Sequence, residues 1–244
     1  GAGGLDVTGN GVSLTNDTND YTGQTRFRTH GSRSFTSIAD LGVASSLGAP
    51  TDVALGTVVF QAQSNYADSL SYIGDGDSSN RNWQISSGGG GAFPATASFV
   101  NSGTGTLRIT GSITGVGGIA PISFSANTAD LELLGVIGDS AERQFNFIGS
   151  STARSITLGA ANTYAGNTSI AGVRVRAPVL ANIGENSSFG TGAGTGGGRI
   201  SVGGVLSYTG GAATTNRRWS FDGTLSNDGT GALTLTGDAD LVGG

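Results

Sequence analysis

Tyr21-Thr22-Gly23-Gln24-Thr25 recurs as Tyr164-Ala165-Gly166-Asn167-Thr168, 143 residues further along the chain. Outward from this block, Ala39-Asp40-Leu41-Gly42 and Ser45-Ser46-Leu47-Gly48 return as Ala181-Asn182-Ile183-Gly184 and Ser187-Ser188-Phe189-Gly190, 142 residues on. Leu70-Ser71-Tyr72 and Asn80-Arg81-Asn82-Trp83 return as Leu206-Ser207-Tyr208 and Asn216-Arg217-Arg218-Trp219 at 136. Asn101-Ser102-Gly103-Thr104-Gly105-Thr106-Leu107 returns as Asn227-Asp228-Gly229-Thr230-Gly231-Ala232-Leu233 at 126. The blocks keep their order while the offset shrinks, as it does when loop residues drop out of a duplicated unit. The expectation is one continuous segment, 1–244, with internal units at approximately 5–147 and 148–244, the second incomplete.

Between the blocks the texture is β. Thr106-Leu107-Arg108-Ile109-Thr110 and Ala232-Leu233-Thr234-Leu235-Thr236 alternate apolar and polar with period two, the pattern of half-buried strands. Similar short runs recur about every ten residues, among them Thr57–Ala62, Thr96–Val100, Ile122–Ser125, Gln144–Ile148 and Arg199–Val202. The best helical stretch, Ser37–Leu47, is broken by Gly42. Glycine supplies 45 of 244 residues, well above the ~7% average, and has no Gly-X-Y period, so it reads as turn punctuation. Two tandem globular domains would also give a duplication, but no Pro-rich or charged linker divides the units. The strand texture runs unbroken from Ser123 through Leu158. A stack in which each coil buries its apolar edge on the next needs no linker. The predicted fold is therefore all-β, a right-handed parallel β-helix (β-solenoid) with loop insertions. Coils of roughly 20–30 residues at about 4.8 Å would make a rod on the order of 40–55 Å.

The blocks themselves resemble the autotransporter-associated β-strand repeats (passenger-associated transport repeats) of bacterial surface proteins. In these a leucine-rich strand is followed by Asn-Thr-Tyr-Thr-Gly and a small-residue strand. Ile156-Thr157-Leu158 through Asn162-Thr163-Tyr164-Ala165-Gly166 shows that order, and Val12-Ser13-Leu14 through Asn19-Asp20-Tyr21-Thr22-Gly23 is the earlier copy. Tyr208-Thr209-Gly210 followed by Thr215-Asn216-Arg217, and the Gly229–Gly237 run, are similar to further parts of the pattern. The resemblance covers most of the chain and implies a right-handed β-helix in an exported passenger, outside the cell or on its outer surface. Phe93-Pro94, inside the Gly88–Ala95 insert, departs from it and reads as a loop leaving the solenoid.

Composition narrows the function. The net charge of −5, with only 12 basic residues, all arginine, gives no basic stripe for nucleic acid. Arg26/Arg28 and Arg174/Arg176 alternate along single strands and read as solvated faces. The absence of cysteine rules out disulfides, thiolate metal sites and a cysteine nucleophile. The absence of lysine rules out Lys–Asn isopeptide bonds and Schiff-base chemistry. Residue 1 is not an initiating methionine, so a processed product or a piece of something longer is expected. No apolar run reaches the ~18 residues of a membrane span.

Few residues suggest chemistry. His30 is the only histidine and has no nucleophile-elbow motif near it, so a surface turn is the default reading. Asp75-Gly76-Asp77-Ser78-Ser79-Asn80 is the densest oxygen cluster, and Asp75, Asp77 and Asn80 are the candidate ligands for Ca²⁺. Its counterpart, Gly210-Gly211-Ala212-Ala213, has no such oxygens. Trp83/Trp219 and Tyr72/Tyr208 are duplicated and could be a sugar-stacking face or core. β-Helix polysaccharide hydrolases and lyases, with carboxylate pairs on one face, are the enzymatic rival. An active site is normally unique, whereas the strongest features here occur twice, so no enzyme is expected. The sequence reads as a structural repeat segment of a secreted or cell-surface bacterial protein. It would act as a rigid stalk or as a self-assembling filament or surface layer. Its partners would be adjacent repeats of the same or identical chains. The alternative is an adhesin passenger binding a glycan or host surface.

Overall fold

The computed structural model describes residues 1–28, 31–62, 67–87 and 96–242. His30 and the Gly88–Ala95 insert lie outside them. The described chain is almost wholly β, and every strand-to-strand pairing is parallel. Its one helix among the described residues is a single turn, Val53–Gly56, where the Asp52 carboxylate accepts from the N–H groups of Ala54 and Leu55 at 2.8 and 3.1 Å. Ser37–Leu47 holds no helix: it runs as turns and bends, with Gly42 at φ +83°.

Through Ser155–Leu158 the strands fall into three stacks, and further on Ala213–Thr215 and Leu233–Leu235 form a separate parallel pair. The first runs Leu5–Val7, Thr25–Phe27, Val58–Gln61, Trp83–Ser87, Ile113–Gly117, Ile137–Asp139. The second begins with Val12–Leu14 and Ser32–Phe35 and continues through Asp68–Tyr72, Ala97–Asn101, Ile122–Ala126 and Phe145–Gly149. The third holds Asp77–Ser79, Leu107–Ile109, Leu131–Leu133 and Ser155–Leu158. The chain visits the stacks in rotation. Trp83, Ala97 and Leu107 pair with Ile113, Ile122 and Leu131 of the next pass, and these pair with Ile137, Phe145 and Ile156 of the one after. Antiparallel strands can turn back through two residues, but parallel neighbours cannot. Each strand is therefore bonded to the previous and following passes, or coils, and not to its sequence neighbours.

Side chains alternate in and out along these strands, so parallel register carries one interior position into the next coil. Phe35, Trp83, Phe99, Phe124, Phe147 and Phe145 with Tyr164 make a continuous run of buried rings. Trp83 meets Phe99 edge-on at 4.8 Å between centroids, Phe124 stacks on Phe147 at 6.0 Å, and Phe145 lies 4.3 Å from Tyr164. Offset and edge-on contacts at such separations add to the burial of the rings themselves.

The strands Thr168–Ala177 and Ile200–Tyr208 each turn a corner and serve two stacks. Thr168–Ala171 pairs with Phe145–Ile148 of the second stack, and Arg174–Arg176 with Ser155–Thr157 of the third. The corner is Gly172, at φ +64°, where a Cβ would lie 2.4 Å from the Gly149 carbonyl oxygen. Only glycine takes this backbone at so close an approach.

The duplicated blocks do not return to the same stack. Thr25–Phe27 lies in the first stack, whereas its copy, Thr168–Ile170, continues the second. Trp83 lies in the first, and Trp219 pairs with Ile200 in the continuation of the second. Leu70–Tyr72 lies in the second, and Leu206–Tyr208 continues the third. The repeat is thus out of step with the coil by one stack in three.

Candidate functional site

The coil is interrupted where the chain leaves the stacks at 36–57 and again at 178–199, and the same set of side chains secures both excursions. Ser46 Oγ accepts from the Ser37 N–H at 3.0 Å, and Ser188 Oγ accepts from the Val179 N–H at 3.1 Å. Ser45 Oγ donates to the Gly48 carbonyl at 3.1 Å, as Ser187 Oγ does to Gly190 at 2.8 Å. Gly48 and Gly190 have φ +76° and +65° and sit against the carbonyls of Tyr21 and Tyr164, leaving no room for a Cβ.

A buried arginine closes each excursion. The Arg81 guanidinium donates from Nη1 to the Leu47 carbonyl at 2.8 Å and from Nε to Gly56 at 2.7 Å. Arg217 donates from Nη1 to Phe189 at 3.0 Å and from Nε to Ala181 at 3.1 Å. Both side chains are fully buried. Burial pushes the Arg81 pKa down to about 10, so the group is still charged at neutral pH. Among the described residues no carboxylate forms an ion pair with it. Its partners are carbonyl oxygens at the bends, which the strand ladders leave unpaired, and the fork of a guanidinium can reach several at once. Tyr21 and Tyr164 lie beside the two arginines. Their hydroxyls bond Thr25 Oγ1 at 2.9 Å and Thr168 Oγ1 at 2.8 Å, and burial raises both phenol pKa values.

The residues singled out for calcium lie at this same junction. Asp77 belongs to a short strand, Asp77–Ser79, paired with Leu107–Ile109, and not to a turn. Its Oδ2 accepts from the Ile38 N–H at 3.0 Å. Asn80 Oδ1 accepts from the Leu41 N–H at 3.0 Å, and the Asn80 N–H donates to Asp40 Oδ1 at 2.7 Å. The copy repeats the last two contacts through Asn216, Ile183 and Asn182, at 2.8 and 3.0 Å. Asp77 and Asn80 are thus tied to the excursion, and Asp75 lies beside them at the bend. Among the described residues no three His, Cys, Asp or Glu side chains come together as a metal site.

The duplicated aromatics are core. Trp83, Trp219, Tyr72 and Tyr208 are all at most 2% exposed. Both indole N–H groups lack a hydrogen-bond partner, so these rings contribute packing alone. Arg26 and Arg176 are exposed on outward strand positions, and Arg28 pairs with Asp6 at 3.1 Å. A further buried cation, Arg143, was not evident from the sequence. It pairs with Asp139 at 2.8 Å, both side chains inaccessible, and donates to Ser87 Oγ and the carbonyls of Val116 and Gly117. On the outside of the first stack, two adjoining depressions of about 390 and 200 Å³ share Gln24 and Arg26. The smaller is also lined by Gln61 and Gln84, from three successive coils. Only the stacking brings these amides together; no motif in the sequence marks them.

The fold is thus an all-β stack of parallel coils whose two excursions are closed by buried arginines. Over its whole length the chain is 41% identical to a protein of Brucella suis biovar 1 (strain 1330) described as "Adhesin BmaC autotransporter". The chain spans only 7% of that relative's length. No family model and no solved structure matches the chain.

Two substitutions test the junction. Arg81→Met strands the Gly56 carbonyl and leaves Leu47 with the Thr25 hydroxyl alone, and should cost about 2 kcal/mol in denaturant unfolding. Amide exchange should speed up across residues 41–48. Arg81→Lys should not restore the loss, because one ammonium cannot span both carbonyls; full rescue by lysine would contradict the fork geometry. For Asp77, burial is the main influence and raises the pKa. The folded state therefore holds this proton more tightly than the unfolded chain. That contribution is complete below the unfolded value, about 3.9, and is lost as pH rises through the folded one. Asp77→Asn keeps an acceptor for Ile38 and should gain stability relative to the wild type between pH 3 and pH 7. Calcium has a readout in the same pair: an ion held by Asp75, Asp77 and Asn80 would raise the wild-type midpoint at pH 7 and leave the variant's unchanged.

Proposed function

We propose that this chain is a segment of the surface-exposed passenger of an autotransporter adhesin, built as a right-handed parallel β-helix. Similarity along the whole of this chain to a stretch of an autotransporter adhesin carries the reading. The parallel stacks support it, because a coil that satisfies its own backbone can be extended by adding coils, without a new core for each. The segment acts mechanically. It spaces and presents adhesive surface along a stiff rod, its two units (approximately 5–147 and 148–244) forming consecutive lengths of it. No catalytic step belongs to this role. The face that meets a ligand is the amide-lined depression of Gln24, Gln61 and Gln84. Neutral amides offer both donors and acceptors there, as a glycan hydroxyl requires.

Antibody fragments raised against residues 1–244 test the proposal on the bacterium itself. They should label intact, unpermeabilised cells and reduce attachment to host cells. Labelling that appears only after permeabilisation would contradict surface exposure. Surface labelling with unchanged attachment would leave a stalk without adhesive function.

A further inference from the structure

On the outward face of the first stack, Arg26 sits where the two depressions meet. Asp6, Arg26, Val59 and Gln84 form one column there, each in register with the next. Arg26 Nε donates to Gln24 Oε1, and Gln24 Nε2 donates in turn to the Ala54 carbonyl at 3.3 Å. Ala54 belongs to the capped turn Val53–Gly56, so the excursion at 36–57 steadies the guanidinium. Among the described residues, Arg26 Nη1 and Nη2 have no partner. Leu55, 47% exposed, lines the larger depression beside Arg26. Gln61 and Gln84, from the next two coils, line the smaller one. Arg26 and Gln84 stand two rungs apart, about 10 Å along the axis, the length of a disaccharide. Among the described residues the one acid lining either depression is Asp6, whose carboxylate pairs with Arg28 at 3.1 Å.

The second unit keeps the excursion and its securing bonds but not these groups. Arg26, Leu55, Gln61 and Gln84 correspond to Ser169, Gly197, Gly203 and Ser220. Arg199 and Arg218 stand there in the places of Thr57 and Asn82, and Arg199 is committed to Asp240 at 2.8 Å. The same strands and the same excursion therefore form without the arginine fork, the apolar wall and the two amides. Their presence together in the first unit is not a requirement of the coil.

We propose that this depression takes an acidic sugar, its carboxylate in the fork of Arg26 and the C–H face of its ring against Leu55. This rests on the reading of the depression as the ligand face and names the class of ligand. The paired Nη donors of a guanidinium match the two oxygens of a carboxylate. With Nε already held by Gln24, the fork loses little freedom when it binds. An apolar side chain beside a few fixed polar groups suits a sugar, which carries hydroxyls at its rim and C–H bonds on its faces. Gln61 and Gln84 then meet the hydroxyls of the adjoining ring with both donors and acceptors. Asp6, one rung from Arg26, opposes a second negative charge and keeps the binding weak. Sialic acids and uronic acids both supply the carboxylate.

Heteronuclear NMR titration of residues 1–244 tests this, with the methyl glycosides of N-acetylneuraminic acid, glucuronic acid and glucose as probes. At least one acidic glycoside should shift the backbone amides of Arg26, Gln61 and Gln84, with a dissociation constant on the order of 1 mM. Which of the two binds identifies the source of the carboxylate. The glucoside should bind at least ten-fold more weakly. Arg26→Gln should weaken the acidic sugar at least ten-fold and leave the glucoside unchanged. Asp6→Asn should tighten the acidic sugar about three-fold. Arg176→Gln, which removes an exposed arginine of the third stack, should change it less than two-fold. Equal affinity for the glucoside, or an acidic sugar that binds Arg26→Gln as tightly as the wild type, overturns the carboxylate assignment and leaves the glycan-facing reading standing. Shifts with none of the three at about 50 mM, or only on another stack, remove this depression as the ligand face as well.

Discussion

The hydrogen bonds between coils are the constraint on which everything else depends. A parallel strand cannot pair with its sequence neighbour across a tight turn, so each strand here is completed by residues about one coil away, as Ile122 is by Phe145 and Ala97. This fixes register, and register fixes the interior. Phe99, Phe124 and Phe147 stack because they occupy the same place in successive coils. It also makes the outside periodic, so that a residue type repeated once per coil becomes a column.

Loops that leave such a coil break the ladder and expose carbonyls inside the protein. The chain's answer is cationic. Four of its 12 arginines, Arg33, Arg81, Arg143 and Arg217, are buried, and their guanidinium groups donate mainly to backbone oxygens. A buried charge is costly unless its hydrogen-bonding capacity is met. Among the described residues Arg217 meets it with Nε, Nη1 and Nη2 all donating to carbonyls, whereas Arg81 donates through Nε and Nη1 and leaves Nη2 unpaired. Arg143 adds Asp139 to the same arrangement. The excursions are thereby fixed parts of the fold, and the two copies keep nearly the same bonds although they sit on different sides of the rod.

Much of this was legible in the sequence. The strands at Ile122–Ala126, Phe145–Gly149 and Ser155–Leu158 alternate well enough to be read directly. The strands Ser32–Phe35 and Asp77–Ser79 did not show themselves, because their inward positions are polar: Arg33 and Ser79 are buried and satisfied by backbone oxygens. Period-two reasoning looks for apolar residues and passes over such strands. The junction around Arg81 was visible only as a repeated Asn-Arg-Asn-Trp block, which marks equivalence but not burial. The amide-lined depression depends on Gln24, Gln61 and Gln84, from successive coils, meeting in register. No local motif encodes that, and the one-stack slip between copies hides it from a comparison of the repeats.

The stacked coil itself is best tested by a distance along one stack. The chain has no cysteine, so spin labels at Ser69→Cys and Ser201→Cys report a single pair. These positions lie five rungs apart in the second stack, through Ser98, Ser123, Asn146 and Ser169. At about 4.8 Å per rung their backbones are separated by about 24 Å. Pulsed electron paramagnetic resonance should give one narrow distribution near that value, widened by a few ångströms for the labels. A broad distribution, or one centred beyond about 35 Å, would mean that the two copies fold as separate domains, and the continuous coil would be wrong.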